Sequence, residues 1–497
     1  GINYYMFFGG THFSGWGARG MTTSYDYNAA IRECGAVGEK YLAAKGIGEF
    51  IRKYEEQLTR SVGGPCEIKG VPESVFGGVR IAKDGTRFIF LHNTDIKKVC
   101  KGNATLLPGK IKSPQKAMYN IDQNGNKVLM HANEIQQNDS LVVEPITVDY
   151  ELKPLDTKVL VLKPGASSMD GVWWPKQQSA IKRPSRLPDP IRIVSVKRQE
   201  DPVDKADWIP LSRLVSLSDL NVNDFRYSLY RAKVNLSKEQ AIKEKYLLFN
   251  MYTRDIVSVR VNGKNVVRLF PDKADAQTWL TRNCYDRIRL DEYDNRFDVS
   301  GTLQEGENEI LVVYENLGHA HGYVPMEELS GIREAGLSVT ETALSHPLEW
   351  EYAADAAGIT EGWTLPEYDD SSWSVVGLDT KTEILRKGND IQPKSEQDGL
   401  FTWYRIEFEL PQNKSSEWIP WLMRINASGN GFMWLNGHNI GRHWEAGPQR
   451  EYYLPECWLN FGGKKNVIVL GLRQTANAAL IKALEICPYN DAAEFIK

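Results

Sequence analysis

The sequence MWLNGHNIGRHW, residues 433–444, runs from an apolar stretch through an Asn-Gly pair into a second short apolar stretch. An Asn-Gly pair in this setting is a strong signal for a β-hairpin, because both residues accept the positive φ that a two-residue turn requires. A further apolar stretch, GKKNVIVLGLR at 463–473, follows the hairpin. The pattern therefore predicts antiparallel β-structure in this part of the chain.

The same order of features occurs earlier in the chain, where VRVNGKNV at 259–266 is followed by GENEILVVYEN at 306–316. In each copy the Asn-Gly pair (Asn262-Gly263, Asn436-Gly437) is followed by a later asparagine (Asn308, Asn466) that precedes an alternating strand. This internal repeat predicts two related jelly-roll β-sandwiches, at 201–345 and 346–497.

The residues before the first sandwich divide by composition. Short alternating strands with turns such as Lys83-Asp84-Gly85 and Gln123-Asn124-Gly125 predict an accessory antiparallel β-domain at 63–165. Residues 166–200 are rich in Pro, Lys and Arg and are interpreted as a connector. Within the connector, Trp173 and Trp174 are expected to dock on a neighbouring surface.

The first 62 residues have a different pattern. The run INYYMFF at 2–8 is typical of a buried parallel strand, and the spacing of apolar residues over Gly38–Leu58 predicts a helix after a long loop. A lone strand and helix cannot bury a core, because a parallel strand needs neighbours on both edges. Residues 1–62 are therefore interpreted as the end of a larger α/β domain.

Composition excludes several function classes. The 497 residues have a formal charge of −4 with 25% charged residues, which argues against nucleic-acid binding. No apolar run reaches the length of about 18 residues that a membrane span needs. The six cysteines lack zinc-site spacing, His319 and His321 have no third partner, and no GxxxxGK loop is present, so we expect no metal and no cofactor. Five N-x-S/T triplets permit an extracytoplasmic location, which stays open.

Two long motifs carry a family resemblance. NYYMFFGGTHF at 3–13 and TTSYDYNAAIRECG at 22–35 resemble the end of the catalytic barrel of the glycoside hydrolase family 35 β-galactosidases, whose pattern is NxYMxxGGTNF followed by TSYDYxAPxxE. WLNGHNIGRHWEAGPQREYYLPECWL at 434–459 is similar to the C-terminal galactose-binding-like jelly roll of the same family. The chain departs from the pattern at His12, where Asn is usual, at Ala30, where Pro is usual, and at Arg32-Glu33-Cys34.

The resemblance implies a mainly β protein that begins with the last strand, loop and helix of a (β/α)8 TIM barrel. It further implies a retaining glycosidase that removes terminal β-linked galactose from oligosaccharides or glycoconjugates by double displacement. The two catalytic glutamates would lie upstream of Gly1, so this chain alone is expected to be inactive. Its partners would be a β-galactoside and the N-terminal barrel segment. Asp26, Glu33 and Glu39 match neither catalytic position and are expected to order a loop or start a helix.

The resemblance also indicates site residues. Tyr5 and Tyr27 match family tyrosines that contact galactose and the nucleophile; the alternative is that both are buried core tyrosines. Trp16, in a glycine-rich loop, could stack on a saccharide or anchor the loop. For the C-terminal set of Trp434, Asn436, Arg442, Trp444 and Gln449 we favour a structural role over a lectin-like site, with Arg442 and Trp444 packing against the end of the barrel.

Three alternatives stay open. The same scaffold could accept another β-glycoside such as β-glucosamine. The chain could instead be a non-catalytic carbohydrate-binding or scaffold protein made of β-sandwiches. It could also be a processed chain that associates with a separate N-terminal piece.

Overall fold

The computed structural model describes residues 3–18, 21–108, 119–121, 127–129, 144–175, 187–222, 226–253, 255–266, 268–269, 295–318, 329–377, 400–412, 417–475, 478–489 and 493–494. The chain divides into two compact units, one of Glu39–Ala180 and one that combines Gly1–Gly38 with Ile181–Lys497. The turn predicted at 123–125 and the pair His319/His321 lie outside the described residues.

The Glu39–Ala180 unit contains two short helices and two main antiparallel sheets. Its elements are α1 (Glu39–Lys53), α2 (Glu55–Thr59), β1 (Ser61–Pro65), β2 (Glu67–Lys69), β3 (Val75–Ala82), β4 (Arg87–Asn93), β5 (Cys100–Leu107), β6 (Tyr119–Ile121), β7 (Lys127–Leu129), β8 (Ile146–Leu152), β9 (Thr157–Leu162) and β10 (Val172–Trp174). The helix predicted over Gly38–Leu58 is confirmed, with an interruption at Tyr54.

The two sheets of this unit enclose its core. One has the order β1-β3-β4-β9-β10 and the other β2-β5-β8, and β6 pairs with β7. Alternate residues of β8 are buried, as the period of a half-buried strand requires. Trp173 and Trp174 lie in β10 and extend the five-stranded sheet, where the Trp174 ring packs 4.9 Å from that of Phe50 on α1.

The second unit holds two antiparallel β-sandwiches. Its elements are β11 (Ile193–Glu200), β12 (Ile209–Leu211), β13 (Tyr227–Leu236), α3 (Lys238–Lys243), β14 (Tyr246–Met251), β15 (Ile256–Val261), β16 (Lys264–Val266), β17 (Arg268–Leu269), β18 (Asn295–Asp298), β19 (Gly306–Glu315), β20 (Ile332–Ser338), β21 (His346–Pro347), β22 (Trp350–Ala353), α4 (Ala357–Thr360), β23 (Ser374–Val375), β24 (Phe401–Glu409), β25 (Glu417–Trp418), β26 (Trp421–Ala427), β27 (Asn430–Leu435), β28 (His438–His443), β29 (Glu451–Leu454), β30 (Lys465–Arg473), β31 (Ile481–Pro488) and β32 (Ala493–Glu494).

Each sandwich has one six-stranded sheet. The middle sandwich pairs the sheet β12-β22-β13-β19-β15-β16 with the sheet β17-β18-β14-β20-β21, and its core lies between them. The C-terminal sandwich pairs the sheet β23-β11-β24-β30-β27-β28 with the sheet β29-β26-β31. The β-sandwich architecture predicted from the repeat is therefore present in both halves.

The two six-stranded sheets also pack against each other. A shared apolar cluster joins Leu229 and Val313 of the middle sandwich to Trp403, Trp434 and Val469 of the C-terminal sandwich. Since β30 is covered on both faces, eight of its nine residues are buried. This double burial explains why the segment is almost continuously apolar although its sheet is antiparallel.

The two copies of the repeat have the same backbone conformation at the turn and the same side-chain hydrogen bond. In the middle sandwich Asn262 has φ 49° and Gly263 φ 77°, and in the C-terminal sandwich Asn436 has φ 48° and Gly437 φ 88°. Nδ2 of Asn262 donates to Oδ1 of Asn308 at 2.8 Å, and Nδ2 of Asn436 donates to Oδ1 of Asn466 at 2.9 Å. The predicted hairpins are thus confirmed, and each is tied to its later strand by a buried asparagine.

Two strands cross the predicted domain boundaries. β11 lies in the expected connector at 166–200, yet it pairs with β24 of the C-terminal sandwich. β22 begins after residue 346, yet it pairs with β12 and β13 of the middle sandwich. The middle sandwich is therefore inserted between the first strand of the C-terminal sandwich and the rest of it. A local pattern could not show this, because pairing partners lie some two hundred residues apart in the chain.

The buried asparagine of each repeat generates a prediction. Asn466→Ala removes the acceptor for the Asn460 amide and the donor to the Asn460 carbonyl, so we expect a loss of about 2–4 kcal/mol in the free energy of unfolding of the C-terminal sandwich. Asn460→Ala, which removes one exposed side-chain bond to Lys465, should cost less than about 1 kcal/mol. Urea denaturation of both variants measures the difference; equal losses would contradict a structural role for Asn466.

Candidate functional site

Residues 3–38 are held mainly by loop contacts. The strand predicted at 2–8 is wrong for the described residues: Phe8 makes a single parallel bridge to Ile31, and Thr11 makes a single antiparallel bridge to Ser24. Tyr5 and Phe8 are exposed rather than buried. A parallel strand forms only when neighbouring strands satisfy both of its edges, and the described chain supplies no such neighbours to 3–8.

The segment docks on the C-terminal hairpin through a reciprocal pair of hydrogen bonds. The Thr23 hydroxyl donates to the Arg442 carbonyl at 2.9 Å and accepts from the Arg442 amide at 2.8 Å. Gly441, with φ +115°, leaves room for this contact, since a Cβ there would lie 2.3 Å from Cγ2 of Thr23. The Gly-Arg pair of the motif thus forms the seat for Thr23.

The Arg442 guanidinium joins three parts of the unit. It donates to the Met21 carbonyl at 3.0 Å and to the Leu317 carbonyl of the middle sandwich at 3.1 Å, and it lies over the Trp444 ring at 5.3 Å. Arginine suits this place because its planar fork offers several donors in fixed directions. The expectation that Arg442 packs against the first segment is confirmed.

Further contacts extend the docking surface along the hairpin. The Ser24 amide donates to Oε1 of Gln449 at 2.9 Å, and the Ser14 amide donates to the Asn439 carbonyl at 3.2 Å. The Phe13 ring meets the Trp458 ring edge to face at 5.0 Å.

Most of the candidate lectin-like set has structural partners. Trp434 is buried in the cluster between the sandwiches, Asn436 closes its hairpin, and Arg442 and Gln449 bind the first segment. These side chains are committed to internal contacts, which supports the structural role favoured by the sequence.

Asp26 orders the loop that carries Tyr27. Its Oδ1 accepts from the Asn28 amide at 2.8 Å, and its Oδ2 accepts from the Glu33 amide at 2.8 Å. Arg32 Nε lies 2.6 Å from Oδ1. The loop-ordering role expected for Asp26 is confirmed, and the helix-start role of Glu39 is confirmed because it is the first residue of α1.

Glu33 is tied to the end of the chain. Its Oε2 accepts from Thr11 Oγ1 at 2.8 Å, and its Oε1 accepts from the Tyr489 hydroxyl at 3.1 Å. Burial raises the pKa of the Glu33 carboxyl, and the hydrogen bonds from Thr11 and Tyr489 oppose that rise. This carboxyl therefore anchors the loop to the C-terminal sandwich.

The predicted site residues stand out from the surface. Tyr5 is 84% exposed, Trp16 82% and Tyr27 68%, so neither tyrosine is a core residue. Tyr25, which sequence reasoning did not select, lies among them: its hydroxyl is 2.5 Å from that of Tyr5, and its ring meets that of Tyr27 at 4.7 Å. His12 packs against Tyr25 at 5.1 Å. The alternation of Tyr25 and Tyr27 in SYDY was the available signal for Tyr25.

The described residues offer neither a metal centre nor a membrane span. No three His, Cys, Asp or Glu side chains in the described part of the chain come together as a metal site would require. No helix among the described residues is long and apolar enough to cross a bilayer.

His443, the last residue of β28, is a buried neutral imidazole. Nε2 lies 3.1 Å from the Ala427 carbonyl and Nδ1 lies 3.1 Å from the Tyr452 hydroxyl, so the tautomer protonated on Nε2 satisfies both. Burial lowers the pKa of His443 to about 4.

The contacts of Arg442 generate a prediction. A lysine there offers one compact ammonium group and cannot reach the Met21 and Leu317 carbonyls together. In Arg442→Lys we therefore expect faster amide hydrogen exchange at residues 10–25, measured by mass spectrometry. Arg424→Lys, at a partly exposed ion pair on β26, is the matched control and should leave that exchange unchanged. Unchanged exchange in Arg442→Lys would contradict the docking role.

The buried imidazole generates a pH prediction. Below the ordinary pKa of 6.5 the unfolded chain binds a proton that folded His443 takes up only near pH 4, so the free energy of unfolding falls as the pH falls through this window, by up to about 3 kcal/mol. His443→Gln should flatten the dependence of Tm on pH between 6.5 and 4, whereas the exposed-site variant His438→Gln should not. Parallel curves for all three proteins would contradict this assignment.

Two segments match family models. Residues 1–51 match the glycosyl hydrolases family 35, and residues 401–465 match the β-galactosidase galactose-binding domain. The first match includes Tyr5, Trp16, Tyr25 and Tyr27, and the second runs from β24 to the start of β30.

Curated relatives give the same result. β-Galactosidase 14 of Arabidopsis thaliana is 25% identical over 263 residues, which is 46% of this chain and 29% of the relative. β-Galactosidase-1-like protein 3 of Rattus norvegicus is 29% identical over 115 residues, 22% of this chain and 17% of the relative. β-Galactosidase of Canis lupus familiaris is 45% identical over 60 residues, 11% of this chain and 8% of the relative. The chain spans less than a third of the length of the first curated relatives it matches. Together with the family models, these matches show that two segments of the chain, near its two ends, are similar to glycosyl hydrolase family 35 and to the β-galactosidase galactose-binding domain.

Proposed function

We propose that this chain is the C-terminal part of a retaining β-galactosidase, which removes terminal β-linked galactose by double displacement. The observation that carries the proposal is the exposure of three aromatic side chains, Tyr5, Trp16 and Tyr27, within the segment that matches family 35; together they are called the aromatic surface below. Both catalytic glutamates would be supplied by residues that precede this segment in the full protein.

The aromatic surface has the chemistry of a sugar site. A tyrosine offers a flat apolar ring to a sugar face and a hydroxyl to a sugar oxygen or a carboxylate, and a tryptophan offers a larger stacking surface. Side chains of this size are usually covered in a folded protein, and a cluster of exposed ones marks a site of interaction. Tyr5 and Tyr27 are the proposed substrate contacts, and Trp16 is proposed to stack beyond the scissile bond.

The carboxylates of the segment support placing the catalytic pair elsewhere. Retaining hydrolysis needs two carboxyl groups about 5 Å apart, both open to the substrate. Asp26 is buried and accepts bonds from the loop backbone, and Glu33 is held by Thr11 and Tyr489. Both are committed to ordering the fold, so the chain on its own is proposed to be inactive.

The decisive experiment reads the coding sequence directly upstream of the Gly1 codon and expresses the longer protein. Hydrolysis of a p-nitrophenyl β-galactoside by the longer protein, with retention of anomeric configuration and no hydrolysis by this chain alone, is the expected result. Preferred hydrolysis of a β-glucosaminide would mean that the substrate is β-glucosamine and not β-galactose. Sugar binding without hydrolysis by the longer protein would contradict the proposed enzyme and favour the carbohydrate-binding alternative.

Removal of one hydroxyl tests Tyr27. In the longer protein Tyr27→Phe should lower kcat/KM for the β-galactoside by one to two orders of magnitude, because a hydrogen bond to the reacting sugar or nucleophile is lost. The free energy of unfolding should change by less than about 1 kcal/mol, because no cavity forms. Tyr246→Phe, on β14 of the middle sandwich, is the control. Unchanged kcat/KM with a large loss of stability would mean that Tyr27 is structural.

A further inference from the structure

The side chain that links the two proposed substrate tyrosines is Tyr25. Its hydroxyl oxygen lies 2.5 Å from that of Tyr5, and its ring stands edge to face against Tyr27 with centroids 4.7 Å apart. On its other side the ring meets that of His12 at 5.1 Å. Tyr25 is therefore in contact with Tyr5, Tyr27 and His12, which come from different parts of the segment.

Tyr25 is also held in place by hydrogen bonds of its backbone. The Tyr25 amide donates to the Gly10 carbonyl at 2.9 Å, and the His12 amide donates to the Thr23 carbonyl at 2.8 Å. These bonds flank the bridge between Thr11 and Ser24. Tyr27 follows in a left-handed conformation with φ 47°, on the loop that Asp26 orders. The half-buried Tyr25 side chain is thus held by the backbone and contacts two exposed side chains, Tyr5 and Tyr27.

The hydroxyl contact perturbs the acidity of Tyr25. The hydrogen bond with Tyr5 raises the pKa of Tyr25 to about 12. Tyr5 is the most exposed ring of the group, so Tyr25 holds the hydroxyl of a side chain whose ring faces the surface.

We propose that Tyr25 is a positioning residue that sets Tyr5 and Tyr27 relative to each other, and that its hydroxyl contact holds the Tyr5 hydroxyl in place for an oxygen of the galactoside or of a catalytic carboxylate. The inference rests on the proposed function and adds a residue to it. Tyr25 itself touches no substrate: it acts through the ring of Tyr27 and the hydroxyl of Tyr5.

A double-mutant cycle in the longer protein tests the hydroxyl link. Tyr25→Phe keeps the ring contacts and should lower kcat for a β-galactoside about tenfold with little change in KM, since it removes only the hydroxyl contact that positions Tyr5. In a Tyr5→Phe background, the same substitution should have no further effect, because the group it acts on is gone. Tyr4→Phe, the neighbouring tyrosine, is the matched control and should leave kcat unchanged. Additive losses, or an unchanged kcat in Tyr25→Phe, would overturn the inference.

A second measurement reads the contact without activity. In this chain labelled with 3-fluorotyrosine, the ¹⁹F resonance of Tyr25 should titrate at lower pH in Tyr5→Phe than in the unsubstituted chain, because the hydrogen bond that raises the pKa of Tyr25 is lost. Equal titration of Tyr25 in the two proteins would overturn the proposed hydrogen bond. If the longer protein hydrolyses no β-galactoside, the proposed function fails and the positioning role fails with it. If it does and the cycle is additive, only the role of Tyr25 fails.

Discussion

The larger unit depends on the packing of two six-stranded sheets, one from each sandwich, face to face. Their shared apolar cluster buries both faces of strands such as β30. At the edge of this cluster the Arg473 guanidinium binds the Glu315 carboxylate, which also accepts from the Tyr227 hydroxyl at 3.0 Å. A buried ion pair is tolerated only when its remaining hydrogen-bonding groups are satisfied, and breaking one costs about 3–5 kcal/mol. This polar contact joins β19 of the middle sandwich to β30 of the C-terminal sandwich.

The candidate site depends on that packing indirectly, through Arg442. Arg442, on the hairpin of the C-terminal sandwich, reaches the Leu317 carbonyl of the middle sandwich and the Met21 carbonyl of the first segment. The guanidinium can bridge both only if the two sandwiches hold a fixed relation. The segment that carries the aromatic surface therefore receives its position from residues more than four hundred places later in the chain. Its own backbone provides isolated bridges and an ordered loop, with no sheet of its own.

The sequence predicted the elements whose signals are local. The Asn-Gly pairs gave both hairpins, because few residues other than asparagine and glycine accept a positive φ. The apolar spacing gave α1 and α2. The apolar spacing did not predict the conformation of residues 3–8 correctly. Their apolar pattern is that of a strand, but a strand forms only where neighbouring strands pair with its edges. The apolar spacing also did not place β11, since its composition is that of a connector and its partner β24 is encoded about two hundred residues later.

By itself the sequence determined two repeated β-sandwiches and a family motif at each end, and it selected Tyr5, Trp16 and Tyr27, whose side chains are exposed in the structure. Such features reside in short stretches whose turn geometry and side-chain chemistry act locally. Only the tertiary structure decided that the middle sandwich is inserted into the C-terminal one, that Arg442 and Thr23 seat the first segment, and that Tyr25 joins Tyr5 to Tyr27. These are relations between distant residues, and they exist only once long-range burial has brought the elements together.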